Sequence, residues 1–276
     1  MKKIGILQGR LLPRYKKRYQ AHPVDYWQSE FYIAKEMGFS YIEFILDFNN
    51  VAQNPIMSKK GIKEIKKLIK QTGVKVNSIC ADYFMEAPFH SKAQKQSEKI
   101  LKKLLKNASK LDVIDVVIPC VDQSSLKTKK DKKMFISSVK KALPYAKKYN
   151  ININFESDLN PKEFKELLSN FDSKNIKVNY DIGNSSSLGY NPKEEFEAYG
   201  QYISDLHIKD RILNGGSVEL GTGDADFDTI FKLLKKYKFK GNIIMQSAKA
   251  DDYIDDLKLV EKQKVFISKY ISKFKI

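Results

Sequence analysis

Residues 202–211 read YISDLHIKDR. The first seven form a short apolar and β-branched run, the pattern of a buried strand, and His207, Lys209, Asp210 and Arg211 arrive where that run ends. Three other runs finish in the same way: 151–155 on Glu156, 176–180 on Asp181 and 241–245 on Gln246. Carboxylate, amide and imidazole donors converging from separate parallel strands suit a divalent cation, which takes oxygen ligands and one neutral imidazole. Glu156, Asp181, His207 and Gln246 are therefore the expected ligands of a single divalent metal ion. Two bare carboxylates at such a place would repel without a cation.

Working outward, the same alternation runs through the whole chain. Strands are expected at 3–8, 41–46, 74–80, 113–118, 151–156, 176–181, 203–208 and 241–246. Helical spacing of apolar residues follows each one, at 24–37, 58–71, 92–111, 131–148, 161–170, 192–199, 226–237 and 252–274. Ser58 suits an N-cap, Gly38 and Gly73 suit helix ends, and Pro144 suggests a kink. Eight strand-then-helix units in 276 residues predict a single (β/α)8 TIM barrel domain over 1–276, with its chemistry at the C-terminal ends of the strands. An open doubly wound sheet would carry a Gly-rich phosphate turn after its first strand, and GRLLP at 9–13 is not one. The Gly-rich loop 214–223 reads as a flexible lid beside the metal.

Composition excludes several classes. No apolar stretch approaches membrane-helix length, and the apolar run near the N-terminus stops at Gln8 without a small-residue cleavage site, so a first strand and a cytoplasmic protein are expected. The formal net charge of +17 comes almost wholly from lysines scattered along helix faces, while arginine stands only at 10, 14, 18 and 211. That pattern argues against specific nucleic-acid binding. Cys80 and Cys120 lie in apolar strand runs and read as free, packed thiols.

The motifs FES at 155, YDIGN at 180, HIKDR at 207 and LGTGDADF at 220, with IGILQGR and GFSYIEF in the first half, resemble the xylose-isomerase-like barrel superfamily of sugar phosphate isomerases and epimerases. The resemblance implies a metal-dependent isomerase or epimerase of bacterial carbohydrate metabolism, moving a proton through an enediolate of a sugar or sugar phosphate. It implies Mn2+ or a related ion (Mg2+, Co2+ or Zn2+) on the four strand ends, and substrate contacts at Asn184 and Arg211. It also exposes a departure: relatives usually place a second Glu where this chain has Gln246, and an amide cannot accept and return a proton. Glu156 is then the single proton carrier of a one-base isomerisation. The alternative is a barrel that binds a sugar without converting it. A nuclease of the apurinic-site type would need a histidine-rich multi-zinc cluster, and this chain has three histidines, of which only His207 ends a strand.

Four more residues complete the expected site. Arg10 and Lys209, just past strand ends, would hold an anionic or hydroxyl-rich part of the substrate. Glu43, inside the second strand, would meet a sugar hydroxyl or Arg10. Asp82, after the third strand, is a candidate auxiliary acid or base whose alternative is a turn residue. The expected partner is a small carbohydrate, with no nucleic acid and no membrane, and assembly is open up to a homodimer.

Overall fold

The computed structural model describes residues 3–246, 248–250 and 252–276; the charged start at residues 1–2 lies outside them. Its strands are β1 (Gly5–Leu7), β2 (Tyr41–Ile45), β3 (Ser78–Cys80), β4 (Asp115–Cys120), β5 (Asn152–Ser157), β6 (Ile176–Asp181), β7 (Ile203–Ile208) and β8 (Asn242–Met245). All pair in parallel, and β1 pairs with both β2 and β8, so the barrel is closed. Around it lie α1 (Ser29–Glu36), α2 (Lys59–Thr72), α3 (Gln94–Ala108), α4 (Lys129–Tyr149), α5 (Pro161–Ser169), α6 (Pro192–Tyr199), α7 (Phe227–Lys236) and α8 (Tyr253–Phe274). None of the described helices is long and apolar enough to cross a membrane.

Local chemistry sets the helix ends. Ser58 Oγ accepts from Gly61 N at 2.9 Å and starts α2, which closes on Gly73 in the left-handed conformation. Thr128 and Asp131 form a reciprocal capping box at the start of α4, and Pro144 sits inside that helix without ending it. The first helix begins at Ser29 and not at 24; the residues before it form turns, in which the Pro23 carbonyl accepts from Tyr26 N and Trp27 N. Strand β4 runs on through Pro119 to Cys120, with Pro119 in register with Glu156. The third strand is shorter than expected, with Lys75 making only an isolated bridge to Tyr41.

The loop 214–223 differs from the expected free lid. Asp210–Arg211 and Ser217–Val218 form a small antiparallel hairpin, and the buried Asp210 carboxylate accepts from the N–H groups of Gly221, Gly223 and Ala225. A Cβ at Gly223 would lie 2.3 Å from Asp210 Oδ1, so glycine serves close approach here and not looseness. Two short helices that the sequence reading did not foresee, Tyr83–Glu86 and Ile182–Ser187, follow β3 and β6.

The barrel interior is divided. Leu7, Ile45, Cys80, Val117 and Ile244 form a small apolar cluster to which β5, β6 and β7 contribute nothing. Those three strands, with β2 and β3, instead bury Glu43, Ser78, Asn154, Asn179, Asp205 and His207. Branched apolar side chains ordinarily fill such a barrel. Here half of it is a hydrogen-bonded polar column leading up to the strand ends.

The turn after β1 hangs on one buried carboxylate. Glu30 of α1, with no solvent exposure, accepts from Gly9 N at 2.7 and 2.9 Å and from Leu11 N at 3.1 Å. Burial pushes its pKa up to about 7 even though these bonds pull it down. Glu30→Ala leaves both N–H groups buried without acceptors, and urea denaturation should show a loss of about 2 to 4 kcal/mol. A midpoint equal to wild type would show that the turn does not depend on Glu30.

Candidate metal centre and active site

Three of the expected ligands come together as the strand pattern demands. Asp181 and His207 are register partners on β6 and β7, and Glu156 sits near the end of β5. His207 Nδ1 lies 3.7 Å from Glu156 Oε2 and 3.9 Å from Asp181 Oδ2, with all three residues buried. Asp181 also caps the helix Ile182–Ser187: its Oδ1 accepts from Asn184 N at 2.8 Å, which turns Oδ2 inward. Oδ2 is buried without a hydrogen bond, its nearest cation being Lys209 Nζ at 3.5 Å. Gln246 Oε1 is likewise buried without a partner. Orphaned buried oxygens are rare, and two among the residues proposed as ligands fit a divalent ion.

His207 is oriented from below. Its Nε2 meets Glu43 Oε1 at 2.7 Å, and Glu43 Oε2 accepts from Ser78 Oγ at 2.6 Å. An Nε2–H donated to Glu43 leaves Nδ1 as the free ligand atom, the arrangement by which a carboxylate fixes the tautomer of a metal-binding histidine. Burial works against charge on this imidazole, but the carboxylates of Glu43, Glu156 and Asp205 together outweigh it and raise the pKa to about 10. Asn179 Nδ2 lies 3.1 Å from Nδ1 and 3.0 Å from Glu156 Oε2. When Nδ1 carries a proton, the Asn179 oxygen, otherwise unpartnered, is the group that can turn to accept it. Glu156 is pushed up to about 7, first by burial and then by the nearby charge of Asp181.

Above these groups lies a cavity of about 280 Å3. Of the expected site residues, Asp82, Glu156, Asn184, Lys209, Arg211 and Gln246 line it. Asn184 Nδ2 donates to Glu156 Oε1 at 2.7 Å, while its Oδ1 accepts from Lys209 Nζ at 3.2 Å and Arg211 Nη1 at 2.9 Å. The other donors of Arg211 go to the Gly215 carbonyl, so Arg211 braces the hairpin as well as facing the cavity. Asp82 accepts from Gln20 Nε2 at 2.7 Å and from the Cys80 thiol at 3.1 Å, and burial raises its pKa.

Two placements correct the sequence reading. Glu43 does not reach the cavity or Arg10: it has no exposure, and its oxygens are taken by His207 and Ser78. Arg10 is 1% exposed and stops short of the cavity, donating to the Tyr19 carbonyl and to Gln20. Gln20, Ser78 and Asn179 were missed. Asn179 could have been found, because it stands two residues before Asp181 and so shares its face of β6. Gln20 lies in an irregular loop that carries no periodic signal. A larger groove of about 600 Å3 between α1 and α8 has none of the orphaned buried polar atoms among its lining residues.

The chain matches the family model described as xylose isomerase-like TIM barrel over residues 31–263. It is 26% identical over 237 residues to the Haemophilus influenzae protein named "Putative L-ribulose-5-phosphate 3-epimerase SgbU", covering 80% of this chain and 83% of that one. Among solved structures, an L-ribulose 3-epimerase superposes with a TM-score of 0.76 at 18% identity, over 100% of this chain and 96% of its own. The IolI protein with a bound zinc atom superposes at 0.75 and 16% identity, over 99% of both chains. At these identities the structural matches speak for the fold alone.

The raised pKa values fix how pH and metal act together. Protonated Glu156 and His207 are favoured in the metal-free native state, so the stability they contribute is lost as pH rises from 4.5 to about 7 and from 6.5 to about 10 respectively. A cation must displace those protons, so its stabilisation should grow with pH. Thermal melts between pH 6 and 9 should show a melting temperature that falls in chelator and a Mn2+-induced rise that widens with pH. A Mn2+ effect that is flat across this range would contradict the assignment of these residues.

Proposed function

From the premise that the chain belongs to the xylose isomerase-like TIM barrel family, we propose that it is a divalent-metal-dependent isomerase or epimerase of a sugar or sugar phosphate. The observation that carries this reading is the convergence of the orphaned Asp181 Oδ2 with His207 Nδ1 and Glu156, beneath a polar cavity that Gln246, its Oε1 also orphaned, helps to line. The name of the Haemophilus relative supports a sugar or sugar phosphate as the substrate class. When bound, a divalent cation supplies Lewis-acid polarisation of a carbonyl and its neighbouring hydroxyl.

The rest is the work of this chain. Glu156, a buried carboxylate at the edge of the cavity, is placed to take a carbon-bound proton and return it to the adjacent carbon of an enediolate. Asn179 and Asn184 hold its two oxygens, which fixes the direction from which it reaches the substrate. Lys209 and Arg211 put positive charge on the same side, suited to a developing enediolate or a substrate phosphate. Asp82, with its pKa also raised, lines the cavity as the auxiliary group that moves protons on substrate oxygens. Gln246 orients and does not titrate.

Glu156→Gln should cut turnover by about 100 to 10,000-fold, the span usual for a general base, and Asp82→Asn should cut it less. Ketoses, aldoses and their phosphates incubated with wild type and Mn2+ in heavy water should exchange hydrogen at two adjacent carbons. The non-titrating Gln246 favours one rival, a barrel that binds a sugar without converting it. Binding without exchange for every sugar tried would favour that rival, whereas full turnover in Glu156→Gln would overturn Glu156 as the proton carrier.

A further inference from the structure

Gln20 has no part in the chemistry above, yet it touches three side chains, two of which, Asp82 and Gln246, line the cavity. Its Oε1 accepts from Arg10 Nη2 at 3.1 Å and from Gln246 Nε2 at 3.2 Å, and its Nε2 donates to Asp82 Oδ2 at 2.7 Å. A guanidinium only donates, and both Asp82 oxygens face donors, Gln20 Nε2 and the Cys80 thiol, so Arg10 and Asp82 impose the same orientation on this amide. Turned over, it would set N–H against N–H at Arg10 and oxygen against oxygen at Asp82. Arg10 is itself fixed, donating to the Tyr19 carbonyl at 3.2 Å with its guanidinium 5.0 Å above the Tyr19 ring. The side chain at 246 therefore meets an acceptor that cannot turn away.

We propose that Gln20 is the positioning residue that commits position 246 to a neutral amide. It holds the Gln246 nitrogen, so that the carbonyl oxygen alone is offered to the cation, and it opposes a carboxylate there with an oxygen 3.2 Å away. The two carboxylates Glu156 and Asp181 then balance a divalent ion, and no further negative charge faces an anionic substrate. This rests on the reading of Gln246 as a cation ligand.

Calorimetric titration of Mn2+ tests both layers, using wild type, Gln246→Ala, Gln246→Glu, Gln20→Met and the double variant Gln20→Met with Gln246→Glu. Gln246→Ala should weaken Mn2+ binding about 10-fold or more, as loss of a coordinating oxygen does. Added ligand charge by itself tightens a divalent site, so Gln246→Glu should tighten binding about 10-fold in the Gln20→Met background, yet give no gain while Gln20 is present. A merely structural Gln20 would shift both affinities alike. Equal factors for Gln246→Glu in the two backgrounds, with Gln246→Ala weakened, would overturn the role of Gln20 alone. Unchanged binding in Gln246→Ala would overturn the ligand assignment and this inference with it. Metal-free melts establish that each variant folds, and Gln20→Ser replaces Gln20→Met if the latter does not.

Discussion

Glu43 and His207 meet at 2.7 Å inside the barrel, neither with any exposure to solvent. An unpaired carboxylate in that position would be destabilising by several kcal/mol, and the imidazole meets it, here with Nε2. Once that is fixed, Nδ1 points to the ends of β5 and β6, where Glu156 and Asp181 lie. The candidate metal centre is thus set by a contact below it, made by a residue from the opposite wall of the barrel.

That contact belongs to a longer polar column. At its foot, Asp115 accepts from Asn152, Ser204 and Asn242, and Asn242 reaches on to Asp205. Burial raises the pKa of both aspartates, to about 6 for Asp115. At its head the orphaned oxygens of Asp181 and Gln246 stand ready for a cation. A barrel optimised for stability alone would carry branched apolar residues through this half, as it does around Val117 and Ile244. The apolar half packs as an ordinary core, while the polar half leads up to the candidate site.

Much of this was legible in the sequence, because apolar runs of period 2 separated by helical patterns of period 3.6 leave few topologies. The run 203–208 matches β7 at both ends, and Glu156, Asp181 and His207 converge as their positions at strand ends require. What escaped were facts of facing and of long-range partnership. From position alone Glu43 reads as a partner of a sugar hydroxyl or of Arg10, since position does not say how deep in a barrel a side chain lies. Its partner is 164 residues away. The glycines of 214–223 suggested looseness, and only the three N–H groups gathered by Asp210 show that they serve tight packing. Arg10 and Gln20 act through other side chains across an irregular loop, where no periodicity marks them.

The claim that the Glu43 contact makes Nδ1 the ligand atom is open to one direct measurement. Crystals of the protein grown with Mn2+ and measured at the manganese absorption edge would locate the ion by its anomalous signal. The expected result is a single peak within coordination distance of Glu156, Asp181, His207 Nδ1 and Gln246 Oε1, with Nε2 still on Glu43. A peak on the Nε2 side beside Glu43 and Asp205, or no peak at these strand ends, would contradict it.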